Sequence, residues 1–293
     1  MKALVAQDTL FRVRQTLRCP GGRVLDLGRP QVMGILNVTP DSFFAGSRLQ
    51  AETELLQRAE HMLQAGATVL DLGGYSSRPG ANDVPADEEL ARLLPAVEAV
   101  RRNFPEAFVS VDTFRARVAE LAVQAGADII NDIGGGLLDE AMFATVARLR
   151  VPYILMHMRG TPQTMTQLTH YDTDLVQELV RYFRDRVAAL RALWPDADVV
   201  LDPGFGFAKT QQQGYELLRR LPELRNILDL PLLVGLSRKT LVWKPLGLTP
   251  EAALPGTLVL NTLAVMGGAN LLRVHDVAEA VQLVRLVQNT LSS

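Results

Sequence analysis

The sequence predicts an α/β protein of the (β/α)8 TIM-barrel class, preceded by an N-terminal β-hairpin. Three observations predict it. The chain has 293 residues, 48% of them hydrophobic, which suits one such barrel. Eight short apolar runs alternate with longer amphipathic helical patterns. The runs are mostly apolar rather than alternating, as strands of a parallel sheet buried on both faces are. A doubly wound open sheet is the alternative this pattern leaves, but no Gly-x-Gly-x-x-Gly turn follows the first run. We therefore expect one domain over residues 1–293, with the hairpin in 1–28 and the barrel in 29–293.

Each element has its own signal. Arg12–Thr16 and Arg23–Leu27 flank Pro20-Gly21-Gly22, which reads as the hairpin. Barrel strands are expected at Val32–Val38, Thr68–Leu72, Phe108–Val111, Asp128–Asn131, Tyr153–Met156, Val199–Leu201, Leu232–Val234 and Asn270–Val274. Between them, helices are expected at Glu52–Gln64, from an N-cap at Asp87 to Arg102, and at Arg115–Gln124, Asp139–Arg148 and Thr173–Leu193. Tyr215–Leu221, Pro250–Met266 and Val277–Leu291 complete the set. Three helices run into Ala65-Gly66-Ala67, Ala125-Gly126-Ala127 and Gly267-Gly268-Ala269, where glycine suits a left-handed cap before the next strand.

Bulk composition removes several function classes. Thirty Lys and Arg against 32 Asp and Glu leave a net charge of −2, with no general attraction to nucleic acid or acidic membrane. Cys19 is the only cysteine, so an intrachain disulfide and a thiolate metal site are both excluded. No apolar run approaches the roughly 20 residues that span a bilayer, and Met1–Gly22 has no apolar signal core. The expectation is a cytoplasmic protein.

In a barrel of this kind, chemistry gathers where strands end and loops begin. Asn37, Asp71, Asp112, Asn131, His157 and Asp202 end successive runs; Ser237, Arg238 and Lys239 follow the seventh, and Arg273 and His275 end the eighth. One strand-end Asp alone is an ordinary helix cap; convergence on one rim carries the signal. Asp112, Asn131 and Asp202 offer acceptors and one amide donor, a set that can read a flat heterocycle bearing several N–H groups. Lys239, Arg273, His275 and Arg78 are cationic or protonatable donors that suit a phosphate or diphosphate. Asn37 can add a neutral oxygen to Mg²⁺ carried by that diphosphate. Long loops after the first two strands, Thr39–Phe44 and Tyr75–Ala81, read as lids.

These residues resemble the dihydropteroate synthases of the pterin-binding barrel superfamily. The resemblance spans about Pro30 to Glu279. It includes Met33-Gly34-Ile35-Leu36-Asn37-Val38-Thr39-Pro40-Asp41-Ser42-Phe43, Asp71-Leu72-Gly73-Gly74 with Ser77-Arg78-Pro79-Gly80, Ser110-Val111-Asp112-Thr113 and Ile130-Asn131-Asp132. It continues through Met156-His157-Met158-Arg159-Gly160-Thr161-Pro162, Leu201-Asp202-Pro203-Gly204-Phe205-Gly206-Phe207, Gly235-Leu236-Ser237-Arg238-Lys239 and Arg273-Val274-His275-Asp276.

The resemblance implies a transferase of folate biosynthesis that joins 4-aminobenzoate to 6-hydroxymethyl-7,8-dihydropterin diphosphate and releases diphosphate. It implies that Asp112, Asn131, Asp202 and Lys239 hold the pterin, and that Ser77, Arg273 and His275 hold the diphosphate. Arg78, Pro79, Phe207 and Ser237 border the aminobenzoate, and Asn37 ligates Mg²⁺. Lys239, Arg78 and Asp112 are the implied catalytic residues, and a homodimer is the implied assembly, with the apolar Leu258–Met266 helix as part of the interface. Orientation and electrostatics, with no strong general base, are the expected chemistry.

Three departures stand out. Ala45 replaces a frequent acid in the first loop, Gly214 a frequent Asn, and Ala208 the usual Gly before Lys209. Ser77 replaces a frequent Thr and keeps the hydroxyl. Two other readings use the same pterin acceptors. A non-catalytic pterin-binding paralogue is motivated by Ala45 and Gly214. A barrel passing a methyl group from methyltetrahydrofolate to a corrinoid has no need of the Lys239, Arg273 and His275 cluster.

Overall fold

A computed structural model describes residues 15–38, 48–75 and 84–291. A two-stranded antiparallel hairpin, β1 (Thr16–Arg18) and β2 (Val24–Asp26), precedes the barrel. The barrel strands are β3 (Gln31–Asn37), β4 (Val69–Gly73), β5 (Phe108–Asp112), β6 (Ile129–Asp132), β7 (Tyr153–Met156), β8 (Val199–Asp202), β9 (Leu233–Val234) and β10 (Leu271–Val274). They form one parallel sheet in the order β8-β7-β6-β5-β4-β3-β10-β9. A parallel bridge between Leu201 and Leu232 joins the two ends, so the sheet closes.

The helices are α1 (Arg48–Gln64), α2 (Ala86–Asn103), α3 (Ala116–Gln124), α4 (Met142–Leu149), α5 (Leu175–Leu193), α6 (Gln211–Arg219), α7 (Leu221–Leu228), α8 (Thr240–Trp243), α9 (Leu254–Met266) and α10 (Val277–Leu291). No described helix is long and apolar enough to cross a membrane. All eight expected strands are present, most within one residue of their expected ends.

Some boundaries are corrected. The first hairpin strand is Thr16–Arg18 rather than Arg12–Thr16, because a 3-10 turn at Pro20–Gly22 makes the reversal tight; residues 12–14 lie outside the described residues. Asp87 is not the N-cap of α2. Pro85 precedes the helix, and Asp87, Glu88 and Glu89 occupy its first turn, where carboxylates favour the positive end of the helix dipole. The segment expected as one helix at Tyr215–Leu221 is two, α6 and α7. Thr210 and Gln213 form a reciprocal capping box that starts α6 earlier than its apolar face does. The three junction glycines adopt positive φ, at Gly66 (102°), Gly126 (113°) and Gly268 (95°), as expected.

Strand periodicity decides where the site is. One residue from each strand meets the hairpin in a common apolar cluster: Met33, Val69, Phe108, Ile129, Ile154, Val200, Leu233 and Leu271 pack with Leu17, Cys19, Leu25 and Leu27. The residues between them, such as Leu70, Leu72, Val109, Val111 and Leu272, pack outward with the helices. Side chains alternate faces along a strand. Two residues further along, the inward positions are therefore Ile35, Asp71, Ser110, Asn131, Met156, Asp202, Gly235 and Arg273. Where the strands run far enough, two more give Asn37, Gly73 and Asp112, while Ile133, Met158, Gly204, Ser237 and His275 stand at the same level just past the ends of theirs. The hairpin plugs the amino end, and polarity begins immediately above the plug.

The plug is a stability element. Leu25 is 1% exposed, so Leu25→Ala should lower unfolding free energy by about 2–5 kcal/mol. Ligand affinity at the opposite, carboxyl end of the barrel should stay within about twofold of the native value, because additivity holds for distant sites. Denaturant titration and calorimetry on one sample check both halves.

Candidate active site

Asp71 is the centre of the interior polar network. It is wholly buried, and its Oδ2 accepts from Arg273 Nε at 2.6 Å and from Asn131 Nδ2 at 3.1 Å. Arg273 Nη2 donates to Asp112 Oδ2 at 2.8 Å. One guanidinium thus bridges two carboxylates, while Asn131 is committed through its amide nitrogen. That commitment sets the polarity of Asn131, because its amide oxygen remains an acceptor for a ligand N–H. Asp112 and Asn131 are register partners across β5 and β6.

The loop after β8 supplies the second wall. Asp202 Oδ1 accepts from the Gly204 N–H at 2.8 Å. Lys239, from the loop after β9, donates to the Phe205 carbonyl at 2.6 Å, and its ammonium lies 4.8 Å from the Phe207 ring centroid. Ser237 Oγ and His275 Nδ1 are 3.0 Å apart, and the His275 N–H donates to the same hydroxyl at 3.1 Å. Arg238 turns away and forms an ion pair with Asp276 at 2.5 Å. At the mouth, a Cβ built on Gly73 lies 3.5 Å from Asp112 Cβ and 3.9 Å from Asn37 Oδ1. Asn37 and Asp112 therefore share that edge.

Burial dominates the ionisation of these groups. It raises Asp112 to about 7, with Arg273 opposing the rise and Asp71 adding to it. It also raises Asp202, with Lys239 opposing. It lowers Lys239 to about 8, with Asp202 opposing. For Arg273 burial is opposed by Asp71 and Asp112, which prevail and hold the guanidinium above its ordinary value.

The structure brings together Asn37, Asp112, Asn131, Asp202, Phe207, Ser237, Lys239, Arg273 and His275 around one barrel mouth. Ser77, Arg78, Pro79 and Ala45 lie outside the described residues. Two sequence expectations are redrawn. The acceptor set and the cation set are not separate regions, because Arg273 is bonded within the acceptor set through Asp71 and Asp112. His157 is not a rim group; it is 3% exposed and its Nδ1 meets Lys209 Nζ at 2.9 Å.

Sequence reasoning left Asp71 and Lys209 without roles. The inward parity of Asp71 was available as a signal, but its partner Arg273 is 202 residues away. Of the departures, Gly214 has a packing reason: a Cβ there meets the Leu241 side chain at 3.0 Å. Ala208 keeps a left-handed φ of 47°, at a cost of about 1–2 kcal/mol relative to glycine.

Comparison with known proteins gives the class first. The profile of the pterin binding enzyme family matches residues 33–275, which contain every strand of the barrel from Met33 onward. The class is therefore that of the pterin-binding barrel enzymes. Among curated proteins, the dihydropteroate synthase of Escherichia coli (strain K12) is 44% identical over 273 residues, covering 93% of this chain and 95% of its own. A crystal structure of the Yersinia pestis dihydropteroate synthase with a sulfonamide drug superposes with a TM-score of 0.87 at 42% identity, covering 95% of this chain and all of that one. The Xanthomonas albilineans dihydropteroate synthase with 4-aminobenzoic acid gives a TM-score of 0.85 at 40% identity, covering 95% and 98%. The chain belongs to the dihydropteroate synthase family of transferases.

Proposed function

We propose that this chain joins 4-aminobenzoate to 6-hydroxymethyl-7,8-dihydropterin diphosphate, releasing diphosphate, and that the barrel mouth above Asp71 is where it does so. The observation that carries the reading is the Asp71–Arg273–Asp112 bridge with Asn131 turned oxygen-outward beside it. Asp112, Asn131 and Asp202 present acceptors to the N–H groups of the pterin ring, and a mismatched ring leaves buried partners unpaired. Lys239 adds a cation at one edge, over Phe207. His275, with Ser237 and the unshared part of Arg273, receives the diphosphate. Phe207 and Ser237, with Arg78 and Pro79, border the arylamine.

In this reading the methylene carbon–oxygen bond breaks with its electron pair leaving on the diphosphate. The electron-rich dihydropterin stabilises the cationic methylene. The arylamine nitrogen then forms the new carbon–nitrogen bond and gives its proton to solvent. The residues orient and neutralise charge; no buried general base is required.

A divalent ion fits one donor here. No group of three His, Cys, Asp or Glu that could hold a metal occurs among the described residues. Mg²⁺ commonly takes one or two protein oxygens plus phosphates and waters, so Asn37 at the mouth suits an ion arriving with the diphosphate. That ion would spread the charge of the leaving group. We also propose a homodimer through α9, where Val259, Leu263 and Met266 form an exposed apolar stripe at helical spacing. Light scattering at the monomer mass would remove it.

The test of function is direct. The purified chain with both substrates and Mg²⁺ should release diphosphate well above background. Pterin binding without diphosphate release would leave only the paralogue reading.

The site also predicts a pH window. Ring N–H donors need Asp112 ionised, so affinity should rise with pH as Asp112 passes about 7. Lys239 must stay protonated, so affinity should fall above about 8. Pterin affinity measured from pH 5.5 to 9.5 should therefore be greatest between those values, and Asp112→Asn should shrink the acidic limb to the part that Asp202, also raised by burial, supplies. An affinity constant across the range would sink this assignment.

A further inference from the structure

We propose that Lys209, held by His157, is a positioning residue for the pterin site: it clamps the Gly204–Ala208 loop from behind, and through that loop places Lys239 and Phe207. The inference rests on the pterin-binding reading above.

Three carbonyls of this loop are divided between two ammonium groups. Lys209 Nζ donates to the Gly204 and Phe207 carbonyls, each at 3.2 Å, and meets His157 Nδ1 at 2.9 Å. On the other side, Lys239 Nζ holds the Phe205 carbonyl at 2.6 Å. The Tyr171 hydroxyl holds the Ala208 carbonyl at 2.9 Å. An ammonium has three N–H groups and no acceptor, so three acceptors engage all of Lys209. Burial pulls Lys209 down to about 7, with Asp202 opposing and the Lys239 charge adding to the fall.

His157 accepts through Nδ1, which places its own proton on Nε2. Its pKa is held well below the ordinary value by burial first and by the Lys209 charge second, which keeps it a neutral acceptor.

The loop needs such a clamp. Gly204 and Gly206 have φ of 69° and 80°, and Ala208 takes 47° without being glycine. A Cβ at Gly204 would stand 2.1 Å from the His157 carbonyl oxygen, so the backbones of 157 and 204 touch. A strained backbone of this kind persists only when its surroundings over-determine it. Without Lys209, the Phe207 carbonyl loses its ammonium donor and the Gly204 carbonyl keeps only the Phe207 N–H, at 3.1 Å. The peptide between them carries the carbonyl that holds Lys239, so it is free to turn. Lys209 makes no hydrogen bond to a side chain assigned to the substrates; its direct coupling to them is electrostatic, to Asp202 and Lys239.

Calorimetric titration of the pterin diphosphate with Mg²⁺ tests the proposal. Native protein that fails to bind counts against the pterin reading, not against the clamp. Given native binding, Lys209→Met should weaken affinity at least tenfold. In a Lys239→Ala background the same change should cost less than threefold, because its effect runs through Lys239. His157→Leu should resemble Lys209→Met. His157→Asn, whose Oδ1 replaces the Nδ1 acceptor, should bind at least fivefold tighter than His157→Leu.

Native affinity in Lys209→Met, or an equal cost in both backgrounds, overturns the clamp. Should Lys209→Met fail to fold, the His157 variants decide: equal affinity of the Asn and Leu forms overturns it too.

Discussion

Replacing Arg273 by Met should lower both stability and turnover more than any other single change at the site. Arg273 is bonded to Asp71 at 2.6 Å and to Asp112 at 2.8 Å, and Asp71 is fully buried. Removing one member of a buried ion pair strands the other charge, at about 3–5 kcal/mol of stability. Here two carboxylates are stranded inside one barrel. Turnover should fall at least about 100-fold, roughly 2.7 kcal/mol of transition-state stabilisation, because Asp112 loses its orientation and the diphosphate loses a donor.

The stability deficit should shrink as pH falls. Burial already raises Asp112 to about 7 in the native protein; without the opposing Arg273 charge it rises further, so protonation as pH falls restores more stability to the variant than to the native protein. Adding Asp71→Asn to Arg273→Met should recover part of the stability and none of the turnover. Guanidinium unfolding at pH 5.5 and 8, alongside diphosphate release, measures all of this. An Arg273→Met protein as stable as the native one would mean the bridge is not a buried one.

Lys239→Ala should separate the two properties. Its ammonium holds the Phe205 carbonyl and lies over the Phe207 ring. Its loss should cost about 2–4 kcal/mol in kcat/KM, roughly 30- to 1000-fold. Stability should hold or rise. Burial lowers the Lys239 pKa to about 8, so the folded site holds the ammonium less favourably than water does. Steady-state kinetics beside a thermal melt reads both, and unchanged turnover would show the site misassigned.

Much of this was readable from strand periodicity. Counting by two from the apolar plug positions lands on Asn37, Asp112, Asn131, Asp202, Ser237, Arg273 and His275, because alternate side chains on a closed sheet must point inward. Lys239 escapes that count, since it comes from the irregular turn after β9 and is placed by the Phe205 carbonyl.

Asp71 and His157 show the limit in opposite directions. Both end apolar runs and looked alike. Asp71 became the hub because barrel closure brings β10 beside β3 and sends Arg273 across to it. His157 was withdrawn from the rim by Lys209, a contact spanning 52 residues that no local pattern encodes. The hairpin register and the α6–α7 break were missed for a local reason. Pro20–Gly22 and the Thr210–Gln213 capping box act through backbone geometry that hydrophobic patterning does not register.

A crystal structure of the chain with the dihydropterin diphosphate bound tests the central assignment most directly. The ring should lie on the barrel axis with Asp112, Asp202 and the Asn131 amide oxygen each within about 3.2 Å of a ring donor. Asp71 should remain one interior position deeper, bonded to Arg273 and Asn131 but not to the ring. A ring bound elsewhere, or an Asn131 presenting its amide nitrogen to the ligand, would contradict the account.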